Sequence, residues 1–175
     1  SSWERNMVVL SHKNLDSLFQ SLGNRYKALD DLFFSFKRSI TTDLGSSPTY
    51  AFDVNQPQQV LVVSFAGATI KFTFCPHLDS KGTLCGKVLI SRQSHNLGIS
   101  VDFLESFIFD SNGTTDLIEQ NSGEKIDISI QGTTIFYHYL CVALNKDPLL
   151  ANPPLGVLSN KNGYSEGRAR ASNYP

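Results

Sequence analysis

The strongest pattern in the chain is an apolar stripe near its start. Leu15, Leu18, Phe19, Leu22, Tyr26, Leu29, Phe33, Phe36 and Ile40 recur at three- and four-residue steps. On a helical wheel they fall within an arc of roughly 100°, as an amphipathic helix with one buried face requires. The spacing predicts a helix from about Asn14 to Ile40, packed by that stripe on a sheet or a partner helix. Ser11 or Asn14 caps its start, Asp16 suits its first turn, and Gly45 and Pro48 close the region. Gly23, about 1 kcal/mol worse than alanine in a helix interior, marks a break into two helices. Phe34 lies almost opposite the stripe, a costly place for an aromatic that nothing covers.

Alternation with a period of two follows. Tyr50-Ala51-Phe52 reads as a short strand. Val60 to Phe65 and Thr69 to Phe74 flank Ala66-Gly67-Ala68 as a tight hairpin, with Ile70, Phe72 and Phe74 on one face and Pro76 as the stop. Leu84 to Ser91 is a further strand. The stretch from Gly98 to Phe109 is mixed: Ile99, Val101 and Phe103 alternate, whereas Phe103 with Phe107 and Leu104 with Ile108 fit a helix. A strand followed by a short helical turn is the reading adopted. Thr115 to Gln120 and Lys125 to Ile130 pair across Asn121-Ser122-Gly123-Glu124. Thr133 then opens a second helix that runs to about Asn145 and is apolar over most of its circumference, so it is buried on more than one side.

The order helix, about six strands, helix defines an α+β fold. Strands joined by such short turns are mostly antiparallel, a meander, because parallel neighbours need a long crossover. The absence of βαβ alternation excludes a doubly wound dinucleotide fold. Residues 1–13 read as an N-terminal extension, with Met7 the only methionine and residues 1–6 a remnant or a processed start. Residues 14–147 form one domain, and residues 148–175, rich in Asn, Pro, Gly and Ser, form an irregular tail. Val157, Leu158, Tyr164 and Tyr174 are the tail's available anchors. Phe34, Tyr164 and Tyr174 are the interaction candidates, with the tail packed over Phe34 on its own domain or a neighbouring subunit.

Composition narrows the functions open to such a fold. Hydrophobic residues make up 41% and charged residues 18%, enough to offset ordering entropy by burial. Fifteen basic against sixteen acidic residues give a net charge of −1, which argues against a nucleic-acid partner. No apolar run approaches the ~20 residues of a membrane helix, so no membrane partner is expected. Three cysteines are too few for a disulfide framework and favour a reducing, cytoplasmic setting.

Candidate chemistry is sparse. Cys75, His77 and Cys85 sit at the ends of two strands, and His138 and Cys141 lie three apart on one helical face. Together they are the weak candidates for a zinc site, against which stand the missing CxxC pair and the frequency of free cysteine in ordinary cores. The expectation is no metal and no cofactor. Thr134, His138, Cys141 and Asn145 form the polar stripe of the second helix and are the ligand-pocket candidates. A Cys–His nucleophile there lacks a third, orienting group. None of the phosphate-cradling, dinucleotide, HExxH or GxSxG motifs is present, and no catalytic residue is nominated.

The reading is therefore a small, non-catalytic cytoplasmic binding or protein-interaction domain, with a protein partner or self-association. The alternatives are a small-ligand binder with an apolar pocket between sheet and second helix, and a metal-dependent or Cys/His hydrolase.

Overall fold

Helix α1 (His12–Leu44) runs as one piece of 33 residues, about 50 Å at 1.5 Å per residue. It passes through Gly23 without the expected break. It is already helical at His12, its first described residue, so Asn14 is not its cap and Asp16 does not sit in its first turn, while Ser11 lies outside the described residues. The computed structural model describes residues 12–94 and 100–152, and all statements of structure below concern those residues.

The stripe on α1 is covered over only half its length. Leu29, Phe33, Phe36 and Ile40 are fully buried, whereas Leu15 and Leu22 are half-buried and Leu18, Phe19 and Tyr26 are exposed. The expectation that the whole stripe packs on the sheet is corrected accordingly. The buried members, Leu29 to Ile40, are those that share the core cluster with Phe72, Phe74, Val88, Ile90 and Phe107 of the sheet. Near the boundary between the two halves, Arg25 donates through Nε to the Leu84 carbonyl at 2.8 Å, and the Tyr26 ring lies 5.9 Å from that of Phe74. Polar contacts fix the covered half on its flank. The Asp30 carboxylate accepts from Gln58 and Gln59, and the Lys37 Nζ donates to the Pro57 carbonyl.

Eight strands follow the helix: β1 (Ala51–Phe52), β2 (Val60–Phe65), β3 (Ala68–Leu78), β4 (Leu84–Ser94), β5 (Ser100–Phe109), β6 (Thr114–Glu119), β7 (Lys125–Asp127) and, after α2 (Gly132–Ala143), β8 (Leu150–Ala151). All pairings are antiparallel, β1 to β7 lie in chain order, and β8 pairs with β6. The α+β meander with a long first helix and a shorter second one is thus the observed fold. Ala66 (φ 50°) and Gly67 (φ 78°) make the two-residue turn between β2 and β3 in the left-handed conformations that such hairpins need.

Three local expectations are corrected. Pro76 does not end β3, which continues to Leu78. The β2 ladder stops at Val60↔Thr73, so at Pro76 the strand has only β4 beside it and the missing N–H is tolerated. The stretch after Ser100 contains no helical turn. A bulge in β5 opposite Ile90 and Ser91 puts Leu104 out of phase, and this extra residue makes a strand's alternation resemble helical spacing. Lastly, residues 148–152 are not irregular throughout, since Leu150–Ala151 forms a strand on β6.

Both helices cover one face of the sheet. Phe33 stacks on Phe74 with centroids 5.7 Å apart, Phe36 meets Phe72 and Phe107 edge-on, and Tyr139 of α2 stacks on Phe107 at 5.6 Å. Gly86 lies beneath Phe109 so closely that a Cβ there would come within 2.2 Å of the ring. The aromatic load anticipated as either core or cavity wall therefore fills the interval between sheet and helices, a layer whose ring pairs each add about 0.5–1.5 kcal/mol beyond area burial.

Candidate functional site

The candidate residues do not gather at one place. On the face of the sheet away from the helices, His77 stands opposite Cys85 in the β3–β4 ladder, and Cys75 opposite Lys87. The Cys85 thiol donates to the His77 carbonyl at 3.3 Å, and burial, helped by nearby Asp79, pushes its pKa up, which disfavours the thiolate that a metal or a nucleophile needs. His138 and Cys141 lie on α2, across the sheet. Among the described residues no group of three or more His, Cys, Asp or Glu is placed to hold a metal ion.

The polar stripe of α2 divides among separate duties. Thr134 is exposed and lines an open depression of about 400 Å³ with Glu119, Gln120, Asn121, Gln131 and Leu149. Two of its amides are already engaged: Gln120 donates to the Pro148 carbonyl, and Gln131 accepts the Asp127 N–H. Asn145 (φ 53°) ends the helix in a Schellman arrangement, in which the Lys146 N–H reaches the Cys141 carbonyl at 2.8 Å and the Asn145 N–H the Val142 carbonyl at 3.1 Å. Cys141 is half-buried beside it.

His138 is the buried member of the stripe. Its Nδ1 accepts the Leu150 N–H at 3.1 Å, so the neutral ring carries its proton on Nε2, and desolvation lowers its pKa to about 4. A lone pair committed to β8 cannot serve as the base for Cys141. His138 acts as a latch between α2 and the last strand.

A second polar cluster, missed in the sequence, lies where β4 and β5 pass under the end of α2. Arg92 donates through Nη1 to the Ala143 carbonyl, while its Nε and the Oε2 of Glu105 are buried with no partner. Asn152 bridges the Ser106 carbonyl at 2.9 Å and the Tyr139 hydroxyl at 3.4 Å. Burial first, then the Glu105 and Asp116 carboxyls, holds the Tyr139 phenol well above its ordinary pKa. By sequence the strand stops at Ser91 and the chain turns helical after the alternation of Ile99, Val101 and Phe103. Arg92 and Glu105 are therefore not marked as neighbours, and the β5 bulge hides the face on which they meet α2.

The largest unassigned feature is the bare half of α1. Phe19 is 64% exposed, Leu18 47% and Tyr26 37%, in line with half-buried Leu15 and Leu22. Phe34, 43% exposed, lies off the stripe, roughly a third of a turn round the same helix. Tyr164 and Tyr174 lie outside the described residues. Among the described residues no helix is long and apolar enough to cross a membrane. No family model, no curated protein and no solved structure matches the chain.

Proposed function

We propose that this chain is a non-catalytic protein-interaction domain that works through the bare half of α1. One observation carries the reading: an ordered helix extends its apolar stripe past the members that its own core buries, leaving Leu18 and Phe19 exposed. Isolated surface apolar residues are ordinary, but a contiguous row on one helix face is what a helix-in-groove contact presents. The three unpaired cysteines support a reducing, cytoplasmic setting.

A photo-crosslinking residue placed at position 19 tests this. In extract of the native cells it should give a discrete protein adduct that Leu18→Gln abolishes, while the same residue at exposed position 54 should give none. Equal labelling at both positions, or no adduct at position 19, removes the reading.

The second reading, a small-ligand binder, is favoured by one observation, the unpartnered buried atoms of Arg92 and Glu105. Its ligand is small and polar, unlike the apolar occupant first expected. Native mass spectrometry should then show a bound mass that Glu105→Gln releases; a bare chain mass would remove this alternative.

A further inference from the structure

The sheet is split between β5 and β6. The two strands share one ladder pair, Phe109 with Thr115, and beyond it the Asp116 carboxylate reaches back to the Ile108 N–H at 2.9 Å. β8 fills the wedge that opens there. Ile118 pairs with Lys125 of β7 on one side and with Ala151 on the other, so β8 takes the side of β6 that faces β5. It makes two ladder pairs, at Ile118 and Glu119, whereas β3 and β4 pair along their whole length. Side chains supply the rest of its hold. His138 Nδ1 accepts the Leu150 N–H, Asn152 donates to the Ser106 carbonyl of β5, and Gln120 donates to the Pro148 carbonyl. A strand tied this lightly is the kind of unit that opens by itself, ahead of the rest of a fold.

The tie through His138 is also the one that acid cuts. Its Nδ1 lone pair faces a donor, its Nε2 is buried with no acceptor, and the side chain is only 1% exposed. A second proton would set two N–H groups against each other and leave a buried cation without an anion. Around the ring, Tyr139 meets it edge-on at 4.7 Å, and Cys141 lies three residues further along α2. On β6, Glu119 is the ladder partner of Leu150 and is exposed, while Asp116 of β6 and Glu105 of β5 act on the Tyr139 phenol. Burial alone lowers the histidine's pKa, so none of these groups offsets the penalty of charging it. A charged ring is stable in water, and leaving its site means parting from Leu150. We infer that β8 is an acid-released strand: protonation of His138 frees Leu150–Ala151 from the wedge while both helices and β1 to β7 stay folded.

Amide hydrogen exchange, followed by NMR on the full chain and corrected for the intrinsic rate at each pH, tests this. The Leu150 amide should open at least about tenfold more often than the Phe72 amide in the β3–β4 ladder at every pH. The closed ring titrates at about 4 and a released one at about 6.5. Between those values the Leu150 opening constant should therefore climb about tenfold for each pH unit of acidification. In His138→Gln, whose side chain still accepts the Leu150 N–H, the constant should stay within about threefold over the same range. Equal opening at Leu150 and Phe72 overturns the inference, because the strand would then part only when the whole domain unfolds. So does an opening constant at Leu150 that is flat with pH in the unmodified chain, a result that depends on no variant folding. A climb that persists in His138→Gln overturns it too, and moves the titration to another group such as Glu119.

Discussion

The two halves of α1 share one helix and one apolar periodicity, yet they have opposite surroundings. From Leu29 to Ile40 the stripe sits among Phe72, Phe74, Phe107 and Phe136, while from Leu15 to Tyr26 the same spacing leaves Leu18 and Phe19 exposed, Leu15 and Leu22 half-buried, and Tyr26 against Phe74 at the margin of the core. The difference teaches that periodicity reports the need for a cover and not its source. The hydrophobic gain per residue is similar in both halves, but only the second half has a sheet beneath it.

The largest effect that sharpens this contrast comes from matched truncations. Phe36→Ala should destabilise the domain by about 3–5 kcal/mol, since it empties a site between sheet and α2, whereas Phe19→Ala should stay within about 0.5 kcal/mol. Urea denaturation measures both. Similar losses at the two positions would mean that the halves are not distinct.

Loosening the cover without touching the helix is the next step. His138 is neutral in the folded state with a pKa of about 4, against about 6.5 when unfolded. Below pH 6.5 the unfolded chain therefore binds more protons. Stability is lost as pH falls towards 4, by roughly 3 kcal/mol over the whole window. Asp116 acts in the opposite sense: burial raises its pKa, so acidification relieves a penalty in the folded state. The difference between the chain and His138→Gln isolates the histidine, because glutamine keeps an acceptor for the Leu150 N–H but does not titrate. Parallel melting curves for the two proteins between pH 4 and 7 would contradict the latch.

Glycines provide the smaller effects, one in each setting. Gly86→Ala drives a methyl into the Phe109 ring under the covered half and should cost about 1–3 kcal/mol. Gly23→Ala, in the bare half, meets nothing within 4 Å and should stabilise the helix by up to about 1 kcal/mol. A loss of stability at Gly23 would show a contact of this segment within the folded chain. Thermal melts of the two variants should move in opposite directions.

Much of the fold was legible in the residues because local rules agreed with the tertiary outcome. The α1 stripe, the Ala66-Gly67 turn and the alternation through Ile70, Phe72 and Phe74 each pointed to one element. The failures came where a neighbour decides the matter. Pro76 ends a strand in isolation but is tolerated once β2 has dropped away, and the bulge at Leu104 converts one periodicity into the appearance of another. Strand Leu150–Ala151 exists because β6 offers it a ladder and His138 accepts its N–H, neither of which its own composition reveals. The candidate site was less legible still. Sequence marked Leu18 and Phe19 as core residues by their spacing, and only the extent of the folded core shows that they are not.

The position of α1 at the front of the described chain has a consequence for synthesis. Its cover comes from β3, β4, β5 and α2, the last of which ends roughly a hundred residues after the helix does. At typical elongation rates of about 5–20 residues per second, the whole seam leaves the ribosome some 5–20 seconds before its cover exists. During that interval the two halves of the helix are equivalent, both adhesive and both available to whatever helix is nearby. An early partner of the bare half would therefore reach the chain while the future core is still open to the same kind of contact.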